Sequence, residues 1–213
     1  MTRSALPARG RPRGRPRAGT APDRREQILV AATDEFAELG YDAASMRSIA
    51  RRAEVDPALV HHYFDSKADL FTAAVGAPLR PDRMIQQILA GPRDEVGRRV
   101  VRYLVTTLDE PDTRKSAVAL LRAALGNKAM TPLLAQFLSR EVFARIAREL
   151  GTPDAELRAN LMASQVVGIL ITRYVLKLDP IASATPDELV ARVAPVLQFH
   201  LIGYPQESEP QHP

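Results

Sequence analysis

The stretch Ser45 to Phe64, SMRSIARRAEVDPALVHHYF, concentrates side chains that read hydrogen-bond patterns. Two imidazoles (His61, His62), a phenol (Tyr63) and a guanidinium (Arg47) lie within 17 residues. Imidazole and phenol groups bond phosphate oxygens or base edges, and small apolar groups such as Ala58 and Leu59 meet a thymine methyl. Arg47 is the best candidate for a bidentate contact to guanine. Neighbouring helical residues point about 100° apart, so His61 and His62 do not share a metal ion easily. His200 and His212 have no matching ligand cluster, and no metal or cofactor is expected.

These residues must be positioned by two short helices, 46–53 and 57–63, with only Glu54 to Asp56 between them. Ser45 caps the first, and Asp56-Pro57 supplies an N-cap acid with proline at the first helical position. Ile49, Ala50, Ala53, Val55, Val60 and Phe64 can pack together and lock the crossing angle. With Val60 turned to the core, Ala58, Leu59, His61, His62 and Tyr63 face outward. This is the helix-turn-helix plan, whose second helix enters the major groove. Upstream, Asp23 and Glu26 read as a capping box, and Ile28, Ala32, Phe36 and Leu39 form one apolar face that stops at Gly40. Downstream, Ser66-Lys67-Ala68-Asp69 starts a helix that continues through Leu70, Phe71 and Val75.

Residues 24–75 resemble the DNA-binding domain of the TetR-like repressors. The resemblance rests on Phe36, Gly40, Tyr41, Ser45, Arg47, Ile49-Ala50, Ala53, Val55, the run Asp56 to Phe64, and Lys67. It implies that Ser45 and Arg47 contact DNA from the supporting helix. It implies that Pro57, Ala58, Leu59, His61, His62 and Tyr63 line the recognition surface, and that Lys67 meets a phosphate. Two positions depart from the family pattern. Glu54 stands where a turn glycine is usual, and a left-handed backbone there costs a non-glycine residue roughly 1 kcal/mol. His61 stands where tyrosine is frequent, which points to a different base preference.

The chain has 213 residues, 46% hydrophobic and 25% charged, and a formal net charge of +4. All the excess positive charge lies in residues 1–19, which hold six arginines and no acid and leave 23 basic against 25 acidic residues elsewhere. A basic arm on a mildly acidic body points to a polyanion. Within it, Arg9-Gly10-Arg11-Pro12 and Arg13-Gly14-Arg15-Pro16, followed by Arg17, resemble AT-hook cores that lie in the minor groove of A·T-rich DNA. The absence of cysteine excludes disulfides, thiolate-bound metals and thiol nucleophiles. No apolar run suits a signal peptide or a membrane span, so a cytoplasmic protein is expected, nucleoid-associated when on DNA.

Beyond a Pro78/Pro81 boundary the apolar spacing stays helical, with helices near 82–90, 93–109, 113–126, 132–150, 153–178 and 186–203. Thr152-Pro153 and Thr185-Pro186 mark helix starts, and Pro195 is expected to kink or shorten the last helix. The expected fold is all-α, with about nine helices in a head and a regulatory body. Its parts are a basic tail (1–19), a DNA-binding domain (20–76), an effector-binding and dimerisation domain (77–205) and a second tail (206–213). The last two helices, with small residues at Ala163, Ser164 and Gly168, are expected to form a four-helix homodimer interface. A twofold dimer would set two recognition helices about 34–36 Å apart, matching a palindromic operator.

The resemblance implies a small-molecule effector that releases a repressor from DNA. Tyr103 and Tyr174 are pocket candidates, although such residues are more often simply core tyrosines with a satisfied hydroxyl, and no residue is assigned to the effector. There is no phosphate loop, nucleophile elbow or zinc signature, so no enzyme is expected. An architectural DNA-binding protein and a helical enzyme remain the alternatives.

Overall fold

The structure is a computed structural model, described here over residues 23–203. The described residues form helices and connecting turns, with no strand among them. The basic arm and its AT-hook-like segments lie outside this range, as does the C-terminal tail.

Helix α1 (Arg24–Ala43) buries Ile28, Ala31, Ala32 and Phe36 along one stripe. Its expected capping box does not form, because the Asp23 carboxylate accepts from the Arg25 amide rather than pairing with Glu26. The apolar face also ends differently from the periodic reading. Gly40 adopts φ 78°, a left-handed conformation that swings the chain inward. Tyr41 then closes the core, stacked on Phe36 at 5.8 Å between ring centroids. Leu39 is left half-exposed at the rim.

Helices α2 (Met46–Arg52), α3 (Pro57–Tyr63) and α4 (Lys67–Ala74) complete the head. Its core joins Ile49, Val60, Phe64, Leu70 and Phe71 to the α1 stripe. The connection at 75–80 leads to α5 (Pro81–Leu89), followed by α6 (Val96–Asp109) and α7 (Pro111–Gly126). Next come α8 (Met130–Leu138) and α9 (Ala144–Leu150), joined through π-helical residues Ser139–Phe143. Helix α10 (Ala155–Ile169) runs into a second π-helical segment, Leu170–Val175, and α11 (Pro186–Ile202) is last.

The start of α10 was misplaced by the Thr152-Pro153 signature. Gly151 (φ 58°) and Asp154 (φ 53°) are both left-handed, so the chain turns twice before the helix begins at Ala155. At α11 the cap forms as expected, with Thr185 and Glu188 exchanging hydrogen bonds. Pro195 does not shorten this helix, which runs on to Ile202.

Helices α6 and α11 approach closely. A Cβ placed on Gly97 would lie 2.4 Å from the Ala194 carbonyl oxygen and 2.6 Å from the Gln198 nitrogen. The Gly97 amide donates to the Gln198 side chain (2.8 Å), which in turn donates to the Arg93 carbonyl. Those close atoms are backbone, so an added methyl group must push the helices apart. Gly97→Ala is expected to lower stability by about 1–3 kcal/mol in urea denaturation; an unchanged midpoint would contradict this packing.

Candidate nucleic-acid interface

The head presents α3 by fixing every residue behind it. Ser45 and Ser48 form a reciprocal capping box at the start of α2, with the Ser48 amide donating to Ser45 Oγ at 3.0 Å. Asp56 caps α3 by accepting from the Ala58 amide at 2.7 Å. Gln27 donates to the Ala53 carbonyl (2.8 Å), tying the turn to α1. Val60 and Phe64 are almost fully buried, and the Arg25 guanidinium lies 5.3 Å above the Phe64 ring. Rotation of α3 is thereby blocked on its inner side.

Its outer side is as the sequence pattern placed it. Pro57, Ala58, His61, His62 and Tyr63 are exposed, and the His62 and Tyr63 rings meet edge to face at 5.1 Å. Leu59 is the exception, only part-exposed because it packs against the head core. Ser45 and Arg47 are exposed beside this face. Arg47 has no carboxylate partner among the described residues, whereas Arg52 is fully occupied. Arg52 Nε donates to the buried Glu35 at 2.6 Å, and its terminal nitrogens grip Glu38. That hydrogen bond holds the Glu38 carboxyl below its ordinary range, and Arg52 fastens α2 to α1.

Glu54 occupies the turn with φ 51°, the left-handed backbone implied by the glycine usual there in the resembled family. Glu54→Gly removes the side-chain clash but loosens the unfolded chain. The net expectation is a small gain of about 0.5 kcal/mol or less, read from thermal unfolding. A loss of stability would show that Glu54 is held by something other than backbone geometry.

Lys67 does something that the sequence reading missed. Its ammonium lies 2.9 Å from the Tyr41 carbonyl, 3.1 Å from Ala44 and 3.4 Å from Asp42, above the Tyr41 ring. Burial lowers its pKa from the ordinary lysine value. The side chain expected to meet a phosphate thus collects the carbonyls left open at the end of α1.

The head core also reaches past the expected domain boundary. Leu133 and Phe137 of α8 are buried in it, with Phe137 stacked on Phe71 at 4.5 Å and edge-on to Tyr41 at 5.3 Å. Gln136 accepts from the Tyr41 amide (2.9 Å), and Glu141 accepts from the Tyr41 hydroxyl (2.8 Å). Burial, reinforced by Glu141, raises the Tyr41 pKa, so the phenol remains a donor. Phe137 simultaneously lines an apolar cavity of about 220 Å³ in the body, shared with Leu134, Leu138 and Tyr103. Tyr174, the other pocket candidate, lies elsewhere and bonds Asp109 at 3.2 Å. A sequence signal for this double duty existed in Leu133, Leu134, Phe137 and Leu138. They make α8 apolar on more than one face, as a helix between two cores must be.

Comparisons with known proteins place the chain in a family. Residues 28–74 match the family described as bacterial regulatory proteins, tetR family. Residues 94–201, just over half of the chain, match the tetracyclin repressor-like C-terminal domain. The HTH-type transcriptional regulator BetI of Rhizobium meliloti is 30% identical over 174 residues, covering 78% of this chain and 85% of that protein. The HTH-type transcriptional activator FasR of Mycolicibacterium smegmatis is 33% identical over 96 residues, 45% of this chain and 37% of that protein. A crystal structure of a TetR-family regulator from Streptomyces coelicolor is 34% identical, covers 88% of this chain and 99% of its own, and gives a TM-score of 0.45.

Proposed function

Since the chain belongs to the TetR family of helix-turn-helix transcriptional regulators, we propose that it represses transcription by holding a palindromic operator through the outward face of α3 and releases it when a small molecule enters the body. The observation that carries this reading is the division of α3 into a locked inner side and an exposed outer side beside Arg47, which has no ion-pair partner among the described residues. In this reading Ala58, Leu59, His61, His62 and Tyr63 face the major groove, with Pro57 at the helix start. Ser45 and Arg47 approach from α2, and Lys67 stands at the phosphate-facing start of α4.

Regulators of this family act as dimers, and the faces of α10 and α11 suit that role here. Leu157, Leu161, Val196 and Phe199 are exposed large apolar residues on these two helices. Gly168 faces open space, leaving room for a partner backbone. Two such helix pairs make a four-helix interface. One head binds weakly, and two at fixed spacing bind together through effective concentration.

Release follows from α8. An effector in the cavity displaces Phe137 or Leu134, and the same residues border the head core. The head then moves with Tyr41, and the spacing of the two recognition helices changes. The effector shifts the population because it favours the DNA-incompetent arrangement. Such a protein works in the cytoplasm, on the nucleoid.

The test is footprinting of the purified protein on DNA upstream of its own gene at two salt concentrations. A protected palindrome supports the regulator, and uniform coating without a footprint favours the architectural alternative. The basic arm is proposed to add minor-groove contacts through Arg9, Arg11, Arg13, Arg15 and Arg17. Deleting residues 1–19 is expected to weaken binding and to flatten the salt dependence, by about 0.9 in log–log slope for each phosphate that the arm neutralises. Equal slopes for both proteins would remove the arm from the interface.

A further inference from the structure

We infer that the body cavity is a site for an uncharged, predominantly apolar small molecule, and that it discriminates against carboxylates and ammonium ions with the same hydrocarbon part. This deepens the effector reading above and rests on it.

The cavity of about 220 Å³ lies among α5, α6, α7, α8, α9 and α10. Leu104, Leu120, Phe143, Met162 and Val166 represent its wall. Among the described residues, no Asp, Glu, Lys, Arg or His lines it, and the only lining side chains with oxygen or nitrogen atoms are Tyr103 and Thr107. A polar or charged ligand would shed its hydration and find no counter-charge. An apolar one loses nothing of the kind. Cavities of about 150 Å³ lined by Leu, Ile and Phe stay dry and hold benzene, so this larger one suits a bulkier hydrocarbon body.

A second observation singles this cavity out. The two π-helical segments of the described chain both contribute to its wall, through Val142 and Phe143 in one and Leu170 in the other. Such local widening of a helix occurs mostly at functional sites. Here it interrupts two helices where they enclose the same space.

The test uses the full chain and a matched series of 1-octanol, octanoate and n-octylammonium at neutral pH, each competing with the neutral fluorophore N-phenyl-1-naphthylamine. Octanol is expected to bind at least tenfold more tightly than either ion. Ala117→Phe, which fills the cavity, is expected to abolish octanol binding while its circular dichroism spectrum stays helical. Thr107→Lys places a cation in the wall and is expected to turn the preference towards octanoate. Equal or tighter binding of an ion to the natural protein, no binding of octanol, or full binding by Ala117→Phe would overturn the inference. Operator release is read separately by anisotropy of a labelled duplex. Octanol binding without release would leave this ligand class standing and refute the effector-release reading instead.

Discussion

Replacing Arg47 by alanine is expected to weaken operator binding about 1,000-fold and to leave the fold intact. The residue is exposed in the first turn of α2 and has no ion-pair partner among the described residues. Surface substitutions of this kind change stability by about 0.5 kcal/mol or less. A bidentate arginine–guanine contact discriminates by about 1–3 kcal/mol. A dimer carries two such contacts, so about 4 kcal/mol is at stake, roughly three decades in Kd. Fluorescence anisotropy against the footprinted duplex measures the loss, and thermal unfolding checks the fold. Arg52→Ala is the contrasting control. It removes the guanidinium that joins buried Glu35 to Glu38, so it should unfold the head at lower temperature. A change of less than threefold in Arg47→Ala would remove this side chain from the interface.

The second large effect is expected at the dimer face. Leu157→Arg with Leu161→Arg places two charges on one side of α10, at positions 61% and 39% exposed in the single chain. Neither side chain is part of the protomer's own core, so helical content should be retained. Buried in an interface, the two arginines would lack partners and prevent association. Losing the second head removes its effective concentration, and operator affinity should fall by about 10²–10⁴. Light scattering should report a single-chain mass. A doubly substituted protein that remains a dimer with full affinity would place the interface elsewhere.

How far these outcomes could be foreseen from sequence depends on the range of the interaction. The caps at Ser45, Asp56, Ser66 and Thr185 act within three residues, and all four form as the local pattern indicates. The split of α3 into buried and exposed sides follows from a 100° rotation per residue and one anchor, Val60. The left-handed Glu54 was foreshadowed only by the resemblance to a family that usually has a turn glycine at that position. Longer-range effects were not legible. Leu39 fits the α1 periodicity, yet Tyr41 takes the core position because Gly40 turns the chain. Lys67 also bonds the carbonyls at the end of α1, a contact between residues 23 to 26 apart that no local pattern shows. Phe137 belongs to the head core and also lines the body cavity, and no local pattern says which helices surround it. The cavity itself is a property of how α5 to α10 pack, and of its lining residues only Tyr103 was a candidate on sequence grounds.

The most direct test of the account is the affinity ratio between the footprinted palindrome and a scrambled duplex of equal length and composition, titrated by anisotropy at physiological salt. A sequence-specific regulator reading bases through α3 should prefer the palindrome by about 10³-fold or more. A ratio near one, with both duplexes bound through phosphates alone, would contradict it and leave a DNA-binding protein that reads no sequence.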